Sequence, residues 1–239
     1  MSRETIRLTN VSFSYGRRAR CVNDVSIEID GASLLLLGAN GAGKSTLLRL
    51  MAGQLKHSSG SRRVVGSVGY MPQRIPRVPG FTVREQVAYC GWLAGLPTPE
   101  ARESADEHIE LVGISSLVRQ RVDTLSGGEL ARVGIAGALA ARARLLLLDE
   151  PSAALDPIAR RSVLDALARV ADTGVAVVAT SHTGSDLGRP FERVVLMDRG
   201  KIHFDGSRRN FLHGDHDDPA VLAMVSALNA TLASGRGDA

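Results

Sequence analysis

The stretch Gly38-Ala39-Asn40-Gly41-Ala42-Gly43-Lys44-Ser45-Thr46 constrains this chain more than any other part of it. It follows the apolar run Leu34–Leu37, which is hydrophobic on both faces and therefore reads as a central strand. Residues 44–53 (KSTLLRLMAG) then read as a helix stopped by Gly53. A strand, a loop of the form GxxxxGK[ST] and a helix together make a phosphate cradle. Backbone N–H groups turn inward toward the anion, and the helix adds its positive N-terminal end. Gly38, Gly41 and Gly43 allow a curvature and a close approach that a Cβ would block. In such a cradle Lys44 reaches the β- and γ-phosphates, and the Ser45 hydroxyl ligates Mg²⁺.

With 239 residues the chain has room for one α/β domain with a subdomain. Hydrophobic residues make up 44% but aromatics only 4%, so the core must be aliphatic, as buried parallel strands require. The apolar runs are far too short to span a bilayer, and residues 1–10 are polar and mixed rather than a leader. The expectation is a cytoplasmic protein whose membrane work, if any, passes through a partner chain. Cys21 and Cys90 have no metal-ligand spacing and read as ordinary thiols. The net charge of +4 is modest, and the Arg residues are scattered without interleaved aromatics, so no nucleic-acid partner is expected.

Between residues 5 and 37, short alternating bursts argue for strands with one buried face. Residues 64–71 read as one further strand. Pro72, Pro76, Pro79 and Gly80 then interrupt regular structure. Helical patterning follows over 83–96, with Thr82 and Glu85 spaced as a capping box, and again over 99–112 and 127–143. Strand and helix alternate once more through 145–150, 157–171, 175–181 and 193–198, with Asp156-Pro157 as an N-cap followed by proline at the first helical position. A break at 215–219 precedes a last helix over 220–232.

Asp149 and Glu150 close the apolar strand 145–148. In P-loop enzymes a carboxylate at that place holds Mg²⁺, here Asp149. Glu150 beside it is the expected general base, polarising the water that attacks the γ-phosphorus.

Taken in order, the glycine loop, Gln73, Leu125-Ser126-Gly127-Gly128-Glu129, Leu147-Leu148-Asp149-Glu150-Pro151 and His182 resemble the ATP-binding cassette (ABC) family. The resemblance runs from about residue 6 to about residue 211. It implies an α/β fold: a P-loop NTPase core of mainly parallel sheet, an N-terminal antiparallel β subdomain and an inserted α-helical subdomain. The expected division is a single domain over 1–232, with core and β subdomain in 1–72 and 144–214. The helical subdomain takes 73–143, a C-terminal helix 215–232, and a disordered tail 233–239.

The resemblance also implies roles for single residues. Gln73 touches Mg²⁺ and water and links the subdomains, while His182 bonds the γ-phosphate and helps hold Glu150. Ser126, Gly127, Gly128 and Glu129 match the signature that binds ATP held by the opposite subunit, although an ordinary glycine-containing helix cap would read the same way. The usual last residue there is Gln; Glu129 sets a carboxylate near the incoming phosphates, which weakens the closed dimer unless the side chain points away. Asp156 matches an interface position. Tyr15 matches the aromatic that stacks on adenine, the competing reading being that Phe13 and Tyr15 are core. The function implied is an ATPase subunit of a membrane transporter. It would work as a dimer, a homodimer by expectation, with ATP, Mg²⁺ and membrane-spanning permease partners, at the inner face of the cell membrane. Residues 80–96 resemble drug or antibiotic exporters more than importers. A soluble iron–sulfur assembly ATPase is the alternative.

Overall fold

The computed structural model describes residues 5–16 and 20–234, and the side chains among these as far as 227. The chain begins with strands β1 (Thr5–Phe13), β2 (Val22–Ile29) and β3 (Leu34–Leu37), then helix α1 (Lys44–Met51), and strands β4 (Ser59–Val65) and β5 (Val68–Met71). β1 is the centre of an antiparallel sheet in the order β2-β1-β4. A register shift between Leu8 and Val11, with Asn10 at φ 50°, changes the phase of β1. Ile6, Leu8 and Val11 therefore all stay buried despite their uneven spacing.

Three helices follow: α2 (Val83–Leu93), α3 (Thr98–Leu111) and α4 (Gly127–Leu139), with α2 packed against both others. Two of them open with the same device. Thr82 and Glu85, and again Ser126 and Glu129, exchange side-chain and backbone hydrogen bonds in reciprocal capping boxes. The chain then returns to the sheet through β6 (Leu145–Leu148), α5 (Pro157–Asp172), β7 (Ala176–Ser181), β8 (Arg193–Asp198) and β9 (Lys201–Ser207), and ends in α6 (Arg208–His213) and α7 (Pro219–Ser234).

The second sheet has the order β5-β6-β7-β3-β8-β9, parallel throughout except for the antiparallel edge pair β8–β9. Its central strands explain the aliphatic composition. Leu35, Leu37, Leu146 and Leu148 face one apolar cluster, and Leu34, Leu36, Leu145 and Leu147 face the other. Each is at most 1% exposed, and each fully buried leucine contributes about 1.5–3 kcal/mol. Such a sheet, covered on both sides, needs continuous apolar strands rather than alternating ones. No helix among the described residues is long and apolar enough to cross a membrane.

The structure corrects the sequence reading in several places. The single strand expected over 64–71 is two strands in two different sheets, parted at Gly66, whose φ of 95° turns the chain. Most of β4 (SGSRRVV) is exposed and polar, so no hydrophobic period marked it. β9 and α6 were not expected at all, because KIHFDGS is an edge strand with little buried surface. Helix α4 stops at Leu139 rather than 143, and Arg142 at φ 54° carries the turn into β6. α7 runs through Ser234, beyond the boundary expected at 232; residues 235–239 of the expected tail lie outside the described residues.

Candidate nucleotide site

The parallel register sets the site. Leu37 pairs with Ser181, Leu148 with Ala179 and Met71 with Leu148. The residues just past these strand ends therefore share one edge of the sheet: the glycine loop after β3, Asp149 and Glu150 after β6, His182 after β7, and Gln73 after β5. The carboxyl ends of parallel strands are where α/β sheets bind ligands.

The loop is built as its sequence required. Gly38 (φ 155°) and Gly43 (φ 106°) lie in the region that favours glycine. A Cβ on Gly38 would come within 2.2 Å of the Met197 carbonyl oxygen, and one on Gly43 within 2.2 Å of that of Cys21. Lys44 opens α1, is 4% exposed, and donates from Nζ to the carbonyls of Gly38 (2.7 Å) and Ala39 (3.1 Å). An ammonium has three protons, so one more is available to a phosphate oxygen. Burial pushes the Lys44 pKa down, while Glu150 and Asp149 act to raise it. Asn40, Gly41, Ser45 and Thr46 share with Lys44, Gln73 and Glu150 the lining of an open cavity of about 410 Å³. Ala42 is buried beneath the loop and closes it by donating its N–H to the Ala39 carbonyl.

The two carboxylates sit differently. Asp149 is 1% exposed; its Oδ1 accepts from Ser45 Oγ at 2.8 Å and from Thr180 Oγ1 at 3.0 Å. Thr180 in turn accepts the Glu150 N–H at 2.8 Å. Glu150 itself is held at φ 50°, a conformation that non-glycine residues adopt at a cost and that clusters at functional sites. Its carboxylate is met from three sides. Gln73 Nε2 donates to Oε2 at 2.9 Å, His182 Nδ1 lies 3.5 Å from Oε1, and Lys44 Nζ lies 3.9 Å from Oε1. Ser45 on the cavity wall and the buried Asp149 behind it thus set two hard oxygen groups side by side, donors of the kind that suit Mg²⁺.

Other expected residues lie away from this centre. Ser126 caps α4, and Glu129 folds back on it: Oε2 accepts from the Ser126 N–H at 2.8 Å and from its hydroxyl at 2.7 Å. The Ser126 hydroxyl and N–H hold the Glu129 carboxyl below the usual range. Gly128 is needed for packing within the chain, because a Cβ would come within 2.9 Å of Ala159 Cβ, whereas at Gly127 it would meet only the movable end of Leu155, with Cδ2 at 2.9 Å. Asp156 caps α5, with Oδ1 accepting from the N–H groups of Ile158 and Ala159, both at 2.9 Å.

Tyr15 is neither core nor part of the strand. It lies just beyond β1, 41% exposed, edge-on to Phe13 at 4.8 Å, and it does not line the cradle cavity. Two residues at the site went unread in the sequence. Cys21 lines the cavity, and Thr180 ties the Asp149 carboxylate to the Glu150 backbone N–H. The only sequence signal for Thr180 is a hydroxyl just after the apolar run 175–179, two residues before His182.

Residues 22–153 match the family model for the ABC transporter. The chain is 30% identical over 237 residues to the linearmycin resistance ATP-binding protein of Bacillus subtilis, covering 94% of this chain and 76% of that protein. It is 34% identical over 216 residues to a cobalt import ATP-binding protein of Syntrophus aciditrophicus, covering 82% and 76%. In fold it resembles a dimeric bacterial ABC transporter cassette, MJ0796, with a TM-score of 0.73 at 23% identity, over 85% of this chain and 99% of that one. With the cradle, the strand-end carboxylates and these likenesses together, the chain belongs to the ABC transporter family, as one of its ATP-binding ATPases.

Proposed function

We propose that this chain is the ATP-hydrolysing subunit of a membrane transporter, and that two subunits, two copies by our reading, join head to tail around two ATP. The observation that carries this reading is the convergence on Glu150 of Gln73, His182 and Lys44 from three separate strand ends. Bound ATP lies with its phosphates in the loop 38–46, where Lys44 and the inward N–H groups hold the β- and γ-phosphates. Tyr15 receives the adenine face. Mg²⁺ held by Ser45, Asp149 and Gln73 would neutralise charge on the phosphate oxygens. Glu150 takes a proton from water as its oxygen attacks the γ-phosphorus, and the bond to the β-phosphate oxygen breaks to leave ADP. His182 steadies the Glu150 carboxylate and the γ-phosphate, and Gln73 carries the state of the site into the segment leading to α2.

The partner subunit's γ-phosphate meets Ser126, Gly127, Gly128 and Glu129 at the N-terminus of α4, where free N–H groups and the helix dipole favour an anion. Asp156 lies at the same face. Ile158, two residues on, is 84% exposed, which supports burial against a second copy. On α2, Tyr89 and Trp92 stack at 5.8 Å, and Trp92 and Leu93 are 53% and 62% exposed. This apolar shelf, downstream of Gln73, suits a membrane-spanning permease. The chain then works at the cytoplasmic face of the membrane. The likeness to a resistance protein supports export as the direction.

Co-purification tests the reading. Tagged Glu150→Gln with ATP and Mg²⁺, drawn from detergent-solubilised membranes of the native host, should bring down a multi-span protein. A soluble partner alone, or only the ATPase dimer, would contradict it. Transport into inverted vesicles would follow from export, and transport out of them from import.

A further inference from the structure

Behind Glu150 lies a second buried carboxylate that the proposed hydrolysis does not use. Asp186 ends a 3₁₀ turn, Gly184–Asp186, and is 4% exposed. Its Oδ2 accepts two hydroxyl hydrogen bonds, from Ser181 at 2.6 Å and from Ser152 at 2.8 Å. Ser181 immediately precedes His182, and Ser152 follows Glu150 by two residues. The Ser181 hydroxyl also accepts the Thr183 N–H at 3.1 Å, so the turn is pinned on both sides of His182. Arg160 on α5 stands beside the other oxygen, with Nε 3.8 Å from Oδ1, and its Nη1 donates to Ser185 at 2.6 Å.

A buried carboxylate is costly to keep, and an apolar side chain would fill the same space more cheaply. Its presence calls for something that it holds. The gap it shares with Glu150, Ser152 and His182 measures about 10 Å³, room for one water at most, so the cluster is no ligand site. What the carboxylate does reach is two chain segments at once, one carrying Glu150 and one carrying His182.

We propose that Asp186 is a positioning residue that clasps the segment 150–156 to the segment 181–186, so that Glu150 and His182 keep a fixed relation. Arg160 is its counter-charge and ties the clasp to α5, the helix capped by Asp156. The proposal rests on the hydrolytic reading of Glu150 and His182 given above.

Two readouts test it: steady-state ATP turnover with ATP affinity, and amide hydrogen exchange of the nucleotide-free protein. Asp186→Ala should lower kcat by about tenfold or more while ATP affinity stays within about threefold. Exchange should quicken in both segments together. Asp186→Asn, whose amide oxygen can accept both serine bonds, should recover most of the lost kcat. Should Asp186→Ala fail to fold, Ser152→Ala and Ser181→Ala each remove one arm and should each lower kcat at unchanged ATP affinity. The proposal is overturned by unchanged kcat, by faster exchange in one segment only, or by equal loss of kcat and affinity without rescue by Asn. Glu150→Gln run alongside separates the two claims. Wild-type turnover there would sink the general-base reading, while exchange in the Asp186 variants still decides the clasp.

Discussion

Gln73 donates from its side-chain amide to Glu150 Oε2 at 2.9 Å, joining the segment that leads to α2 to the carboxylate that ends β6. The two residues are 77 positions apart in sequence and meet because β5 and β6 run parallel and in register. In our proposal, a change at Glu150 is felt first in the stretch of chain that leads to the exposed apolar shelf of α2.

Lys44 is buried and charged beside the loop carbonyls, so its loss removes a charge-assisted contact to phosphate. Such contacts are worth about 1.5–3 kcal/mol. Lys44→Ala should therefore weaken ATP binding by about 10- to 100-fold. Calorimetric titration checks this, and unchanged affinity would refute the cradle assignment.

Glu129 accepts both the N–H and the hydroxyl of Ser126, the groups that, in our proposal, an incoming phosphate would use. Glu129→Gln should keep the cap but remove the negative charge, and so tighten ATP-driven dimerisation severalfold. An unchanged dimer constant, by sedimentation or light scattering, would mean that the carboxylate does not face the partner's nucleotide.

The same carboxylate sets a pH dependence. Its folded-state pKa lies below the ordinary value of 4.5, so the ionised cap stabilises the fold above that value. The stabilisation is lost as pH falls through the lowered pKa. The difference in unfolding midpoint between wild type and Glu129→Gln should therefore be constant from pH 7 to about 5 and shrink below 4.5. A difference that grows on acidification would contradict the cap.

Much of this architecture was legible because its signals are local. The glycine loop, the two runs of four leucines, the Thr82–Glu85 box and the Asp156-Pro157 cap each fix structure within a few residues. β4 and β9 were not legible, since exposed edge strands rich in Ser, Arg and Gly carry no hydrophobic period. Thr180 and Asp186 were missed for a different reason. A hydroxyl or carboxylate gains its role only when register brings distant strand ends together, and spacing along one segment cannot show that. Tyr15 is not the core residue that its alternation with Phe13 allowed, because the strand ends at Phe13 and leaves it half exposed.

Asp156 serves as the N-cap of α5 and, in our proposal, as an interface residue. Asp156→Ala should cost about 1 kcal/mol of stability by loss of the cap. Asp156→Asn should keep the cap. If the interface role holds, Asn will still weaken the ATP-bound dimer at unchanged melting temperature. A dimer of wild-type strength would leave Asp156 with the cap alone.

The central claim is that Glu150 is the base of an ATP-hydrolysing site, and single-turnover hydrolysis by Glu150→Gln tests it most directly. The variant should bind ATP and Mg²⁺ with wild-type affinity and collect as a stable ATP-bound dimer. Its hydrolysis should slow by about 10²-fold or more, the range expected for loss of a general base. Hydrolysis at the wild-type rate, with ADP released from the variant as from the native protein, would contradict the account.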